Sequence, residues 1–336
     1  MPVTTRSGRV RAARLTDLAA FGELSRLAHR ATDPGQGGRA ADEPERPMRS
    51  LGLPVTASHV SVFSLFRMPL GALMPNDQLY VYEESGRLSG LARVERDTER
   101  DEWTVVELDA VDHGDAGDIR FRLVQHLLRD GSRRGATRFH VACADVGGNV
   151  ELFMQAGFAR YGEETILFRE PGLKFPGARG IDPDSLGIRP ATHLDSVELA
   201  RLYKQVTPTP VARVEGYRLP DWEHLPGRSS VPRTSLTPLL RFADVEAYVQ
   251  EATDGQSLAA MLQLGVAKEQ QPHYMRVLAT PEHDTGPLIR FGLATIGRRS
   301  GANGRDANPA HQHGVMACVR TYDSPIDRRL EDQGMA

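Results

Sequence analysis

The sequence predicts an α/β protein of two domains, each a mostly antiparallel mixed sheet flanked by helices. Three observations predict it. Residues Trp103 to Phe158 run strand, glycine-containing turn, amphipathic helix, strand and short helix. The opening of this domain recurs further along the chain at a fixed spacing. A Pro- and Gly-rich stretch with no helical period, Pro171 to Gly187, lies between the copies. A length of 336 residues suits two domains of ordinary size. The expected boundaries are 1–170 for domain 1, 171–187 for a linker and 188–336 for domain 2.

Thr104 to Val111 (TVVELDAV) alternates as a strand. Strict alternation puts Thr104, Val106, Leu108 and Ala110 on one face, and Val105, Glu107 and Asp109 on the other. His113 to Asp118 holds two glycines and reads as a loop. Ile119 to Leu128 repeats its apolar residues at helical spacing. Phe139 to Ala144 is a second strand, and Gly148 to Phe158 a short helix stopped by glycine. Upstream, Gln78–Glu83 and Leu88–Glu95 flank Glu84-Ser85-Gly86-Arg87 and form a hairpin. Asp97 to Glu102 is the polar tip leading to the next strand. Thr165–Phe168 is expected to be the last strand of domain 1.

Val10-Arg11-Ala12-Ala13 is echoed by Ile188-Arg189-Pro190-Ala191. At the same offset Asp17 matches Asp195, Phe21 matches Leu199 and Leu24 matches Leu202. At nearly the same offset Gly157-Phe158-Ala159 matches Gly334-Met335-Ala336. This order points to two copies of one domain. In the second copy a helix is expected at Ala243–Ala252. Strands are expected at Leu258–Gly265, His273–Ala279 and Val315–Arg320, and helices at Pro287–Ile296 and from Asp327. Thr32–Pro54, Thr207–Pro238 and Ser300–His313 read as loops. The second copy stops before any counterpart of Arg160–Arg169, so it is expected to lack its last strands.

The order strand, turn, helix, strand and an Asn-to-Gly-Phe helix resembles the GCN5-related N-acetyltransferase (GNAT) superfamily. Asn149 and Gly157-Phe158 match the Asn-x-x-x-(Leu)-Tyr-x-x-x-Gly-Phe helix of that family. Gly117 can be set on a glycine of its pyrophosphate-binding turn, but Ile119 and Phe121 fall where further glycines belong. Phe153 stands where the family often has a tyrosine that protonates the leaving thiolate. In the second copy Leu330 stands there, and Thr280 to Pro287 carries one glycine, Gly286.

The resemblance implies an acyl-coenzyme A-dependent N-acyltransferase, with acetyl-coenzyme A as cosubstrate and no metal, and with its site in domain 1. The acceptor would be an amine of a small molecule or a peptide. It implies that backbone amides at Ala110 and Val111 face the thioester, and that Gly114, Gly117 and Asp118 lie at the pyrophosphate. Glu107 is then the candidate base; the other reading is that its face meets a wet cleft or an arginine. Asn149 is either a helix cap or a contact to the pantetheine arm. Asp118 is either an N-cap or a cofactor contact. Asp112, Asp115 and Asp118 repel phosphate. These mismatches keep a second reading open, a catalytically silent module that binds a ligand or partner.

Composition narrows the rest. A net charge of −3 gives no general attraction to nucleic acid or anionic lipid. No apolar run approaches the ~20 residues needed to span a bilayer. Cys143 and Cys318 are the only cysteines, too few for a disulfide framework. The expected setting is cytoplasmic. His311-Gln312-His313 lacks a placed third ligand for a metal.

Overall fold

The computed structural model describes residues 8–17, 20, 77–111, 116–146, 148–170, 182–223, 242–252, 255, 257–267, 272–299 and 313–336. The chain divides into two compact units, Met1–Arg160 and Tyr161–Ala336. The expected loop Thr32–Pro54, residues 171–181 of the expected linker and residues 300–312 lie outside the described residues.

Among the described residues, unit 1 is a five-stranded sheet in the order β1 (Arg9–Ala12), β2 (Asp77–Glu84), β3 (Arg87–Asp97), β4 (Glu102–Ala110), β5 (Arg138–Val141). The first three junctions are antiparallel and the last is parallel. Ser85 and Gly86 both have positive φ, 50° and 77°, as a two-residue hairpin turn demands. Helix α1 (Ala116–Arg133) makes the crossover that a parallel pair requires. Ile119, Leu123, Val124 and Leu127 recur at helical spacing and are buried. Helix α2 (Asn149–Gln155) follows β5.

Unit 2 is, among the described residues, a six-stranded sheet. Its strands are β6 (Glu164–Arg169), β7 (Ile188–Pro190), β8 (Phe242–Glu251), β9 (Leu258–Ala267), β10 (His273–Ala279) and β11 (Val315–Arg320). Their order in space is β6-β11-β10-β9-β8-β7. Helices α3 (Ser196–Val206), α4 (Thr209–Glu215) and α5 (Leu219–Glu223) precede β8; α6 (Gly286–Arg299) and α7 (Ser324–Glu331) flank β11. On one face Leu262, Met275, Val277 and Ala317 pack with Leu288, Ile289 and Leu293 of α6. On the other, Ala247, Val249, Met261 and Leu278 pack with Leu199, Leu202, Tyr203 and Trp222.

Strands β7, β8, β9, β10 and β11 pair in the same senses as β1 to β5, so the repeat is real at the level of topology. It is also real in its side chains. Arg11 forks Asp17 at 2.6 and 2.9 Å and reaches Glu83 at 2.7 Å. Arg189 forks Asp195 at 2.9 and 2.7 Å and reaches Glu251 at 2.9 Å. Each Asp also accepts the amide three residues before it, from Arg14 at 2.6 Å and from Thr192 at 2.7 Å. At the other end, the amide of Phe158 donates to Phe153 O and that of Met335 to Leu330 O. Gly157 and Gly334 take the left-handed turn there, φ 100° and 78°.

Three expectations are corrected. Residues 243–251 belong to strand β8, not to a helix, and Ala252 follows its end. Ala, Glu and Gln favour helix locally, but β8 is paired on both sides, with β7 and β9. Residues 207–238 are not all loop, because α4 and α5 lie within them. Thr165–Phe168 forms part of β6, which pairs with β11 rather than with unit 1. Unit 2 thus has a last strand, taken from the residues ahead of the expected linker.

The Arg189–Asp195 fork makes an acid-limb prediction. Burial alone would raise the Asp195 carboxyl; Arg189 and Thr192 more than reverse this and hold it below the ordinary range. A lowered folded pKa contributes stability above the unfolded value of about 3.9, and this is lost as pH falls through the folded value. Asp195→Asn is expected to cost roughly 1–2 kcal/mol at neutral pH, the exposed side of Arg189 reducing the effect. Urea unfolding at pH 7 and pH 3 should show the gap to wild type narrowing in acid. An equal gap at both would refute the assignment.

Candidate active site

β4 and β5 run in parallel only over Glu102–Val105 against Arg138–Val141. β5 then ends, while β4 continues to Ala110. The stretch 106–110 therefore has a ladder partner on the β3 side and has passed the end of β5 on the other. The opening begins at a bulge. Val94 lies opposite Val105 and Arg93 opposite Glu107, which leaves Val106 as an extra residue in β4.

This bulge overturns the strict alternation expected for the strand. Thr104 lies opposite Glu95 and Glu107 opposite Arg93, two apart on β3, so Thr104 and Glu107 share a face. Val105, Leu108 and Ala110 share the other. A Cβ on Gly90, opposite Ala110, would meet Ile119 at 2.6 Å, so that second face is the one α1 covers. Glu107 points to the opposite side of the sheet. Its carboxylate lies 3.4 Å from Arg93, which is also 3.4 Å from Asp77. Asp109, on the Glu107 face, is buried.

The two candidate amides differ. The Val111 amide donates to Ser89 O at 2.9 Å, so it is spent on the sheet. An antiparallel ladder alternates its bonds, so the Ala110 N–H is directed away from β3, to the side where β5 has ended. The Ala110 N–H is thus directed into the gap and the Val111 N–H is not.

At the far side of the opening stands a residue that sequence reasoning passed over. Arg120, in α1, donates to Asn149 Oδ1. Burial lowers the pKa of its guanidinium, while Asp109 and Cys143 pull it back up. The Asn149 amide nitrogen donates to Ala144 O at 3.3 Å. Asn149 is buried and joins α1, the segment that follows β5, and α2. It is not the cap of α2, since Gly148 holds that position and no side chain caps it. The only signal in sequence was an arginine beside the apolar stripe of α1, which is indistinguishable there from a surface residue.

Asp118 is not an N-cap either. Helix α1 begins at Ala116, and Asp118 pairs with Arg122 one turn on, at 2.7 Å. Its charge is therefore partly neutralised. Gly117 is exposed, and an added Cβ there would meet nothing within 4 Å. Gly114, with Asp112 and Asp115, lies outside the described residues. Phe153 is buried and packs edge-on against Phe158 at 5.3 Å between centroids. Its side chain serves the core. His311 and Gln312 also lie outside the described residues, and no group of His, Cys, Asp and Glu able to hold a metal occurs among those described. No described helix is long and apolar enough to cross a membrane.

No protein-family model and no curated protein matches the sequence. Solved structures do. A tandem GNAT protein from the clavulanic acid biosynthesis pathway, solved without acetyl-coenzyme A, aligns at TM-score 0.52. It is 14% identical and the alignment covers 98% of this chain and 95% of that one. A GCN5-related N-acetyltransferase from Sphaerobacter thermophilus aligns at TM-score 0.51 with 13% identity, covering 98% and 92%. The chain has a tandem GNAT fold. In the GNAT frame β4, α1, β5 and α2 are the segments that the sequence resemblance picked out, and β10, α6, β11 and α7 are their counterparts in unit 2.

The face of unit 2 opposite α6 carries a buried ion network. Arg320 on β11 lies 3.0 Å from Glu164 on β6 and in contact with Glu215 on α4. Arg276 on β10 lies 3.6 Å from Glu164. Tyr203 donates to Glu215. Burial pushes the Glu215 carboxyl up, against the pull of Arg320.

Proposed function

We propose that the chain is an acyl-coenzyme A-dependent N-acyltransferase whose site is the β4–β5 opening of unit 1, with acetyl-coenzyme A as donor and a small-molecule or peptide amine as acceptor. The observation that carries this is the opening itself: a bulge at Val106, a carboxylate at Glu107 on one face and the Ala110 amide directed into the gap. Acetyl-coenzyme A, when bound, supplies an acyl group activated as a thioester. The Ala110 N–H is placed to donate to the thioester carbonyl oxygen as negative charge grows on it. Glu107 takes a proton from the acceptor amine, while Arg93 keeps its carboxylate in position. The new C–N bond replaces the C–S bond, and the sulfur leaves as thiolate. Phe153 has no proton to give it. A thiol titrates near pKa ~8.5, so the thiolate is a tolerable leaving group without one.

A second reading has its own support. Both ends of the Asn149 side chain are engaged, by Arg120 and by Ala144. A site in which such contacts persist would leave a silent module.

Calorimetric titration with acetyl-coenzyme A, followed by transfer assays on an amine panel, separates the two. The proposal expects binding, and a fall in kcat of about 10²–10⁴-fold for Glu107→Gln with donor affinity unchanged. Unchanged kcat in this variant removes Glu107 as the base. Absence of both binding and transfer replaces the enzyme with the silent module.

A further inference from the structure

We infer that unit 2 is closed to an acyl-thioester by its own side chains, so that the tandem chain carries one donor site and unit 2 is a ligand-independent scaffold. Two independent observations carry this, one at each end of the path that corresponds to the opening of unit 1.

The first is between the strands. β10 and β11 pair in parallel over His273–Met275 against Val315–Ala317. The next residue is Arg276, only 2% exposed. Its Nη1 donates to Cys318 O on β11 at 2.9 Å. A guanidinium therefore bridges the strands at the rung where unit 1 begins to open. Arg276 and Glu107 are topological equivalents. Each is the first residue beyond the parallel pairing on the face away from the crossover helix. Unit 1 has a carboxylate there, whereas unit 2 has a buried cation tied to Glu164 and to the neighbouring strand. A buried arginine cannot accept the proton of an acceptor amine. Drawing it aside would leave Glu164 with one cation fewer in an apolar interior.

The second is at the crossover helix. The first amide of α6, at Gly286, donates to Asp284 Oδ1 at 3.1 Å. Pro287 follows and has no N–H to offer. The positive end of the helix thus already holds a carboxylate, which Arg329 fixes from α7 at 3.1 Å. A pyrophosphate brought here would meet that negative charge and find one amide taken and the next missing. Within the first turn of α1 in unit 1, Asp118 pairs with Arg122 and a Cβ on Gly117 would meet nothing within 4 Å, while residues 112–115 ahead of that helix lie outside the described residues. The residues of unit 2 do not fit the cosubstrate that the fold implies.

Hydrogen exchange of the full chain, with and without saturating acetyl-coenzyme A, tests this. Peptides covering 104–125 and 138–152 report on unit 1; peptides covering 273–290 and 315–330 report on unit 2. The inference expects slowed exchange confined to the first set, and equilibrium dialysis giving one coenzyme bound per chain. Slowed exchange in 273–290 or 315–330, or two coenzymes per chain, overturns it. The unit 1 proposal has a separate signature: no protection at 104–125 would refute it together with the count of one donor site, and the closure of unit 2 is then judged by 273–290 and 315–330 alone. Asp284→Asn supplies a folded control. It removes the carboxylate charge while Arg276 remains, so no second site should appear. A second binding event in that variant would show that Arg276 does not close the strands.

Discussion

A chain that begins at residue 182 is expected not to fold its second unit, whereas one that begins at residue 161 is. The missing piece is β6. All six residues of β6 pair with β11, from Val315 opposite Arg169 to Arg320 opposite Glu164. On its other edge Phe168 exchanges both backbone bonds with Ala336, at 2.8 and 3.0 Å, and Arg169 donates to Gln333 O. Leu167 is buried in the α6-side core. Without β6, the wholly buried strand β11 becomes an edge with unpaired backbone groups, an invitation to aggregate. Arg320 and Arg276 would at the same time lose Glu164. These losses fall on a domain whose net stability is of the order of 5–15 kcal/mol. Circular dichroism and size-exclusion chromatography of the two truncations test it. The shorter one should be aggregated or unfolded, and a synthetic peptide of residues 161–170 should restore part of its signal. A monomeric 182–336 fragment with the melting temperature of 161–336 would show β6 to be dispensable.

The second large effect is expected at Arg320. Its guanidinium lies between Glu164 and Glu215, and all three side chains are less than a tenth exposed. Burial works against the charge on Arg320, and the two carboxylates outweigh it, so the proton is held more firmly than in water. Arg320→Met keeps much of the volume and removes the charge. It leaves two buried carboxylates facing each other without the cation between them, and should cost about 3–5 kcal/mol. The sign with pH follows. In the variant the Glu215 carboxyl, already raised by burial, loses the pull of Arg320 and rises further above its unfolded value, so stability is greatest below that unfolded value and is lost as pH rises through the folded one. The deficit should therefore shrink on acidification toward pH 5. Adding Glu215→Gln to Arg320→Met should recover part of the loss, because a neutral amide suits the site better than an unpaired carboxylate. Chemical unfolding of wild type, both single variants and the double variant gives the coupling. Additive effects would mean that Arg320 and Glu215 do not act as a pair.

Local patterns made much of the fold legible. The alternation in 78–95 and the Ser85-Gly86 turn determine the β2–β3 hairpin wherever it is placed. The apolar stripe from Ile119 to Leu127 determines α1 and which side of it is buried. Arg11 and Arg189, six residues ahead of Asp17 and Asp195, carried enough signal to reveal the repeat before any contact was known. The same holds for Gly157 and Gly334, whose left-handed turns need nothing beyond their own helix ends. In the site, Glu107 was singled out by the family resemblance, and the structure places it on the face of β4 away from α1.

What remained illegible depends on partners distant in the chain. Residues 243–252 have a composition that suits a helix, and 243–251 become a strand because β7 and β9 flank them. The bulge at Val106 exists only relative to β3, and it alone puts Thr104 and Glu107 on one face. Which of Ala110 and Val111 turns its amide to the gap is likewise set by Ser89 across the ladder. Arg120 meets Asn149 only after α1 and α2 have packed. Arg276 closes its strands only because the β10–β11 pairing stops one residue earlier. Strand β6 carries no mark in its own residues of which sheet it will join. Hydrophobic period, turn chemistry and helix stops act within a few residues, so the sequence alone determined the elements and their order. Strand partnership, register and the pairing of buried charges are settled by surfaces that meet only in the folded chain, and these decided where the strands of each sheet part and which side chains stand there.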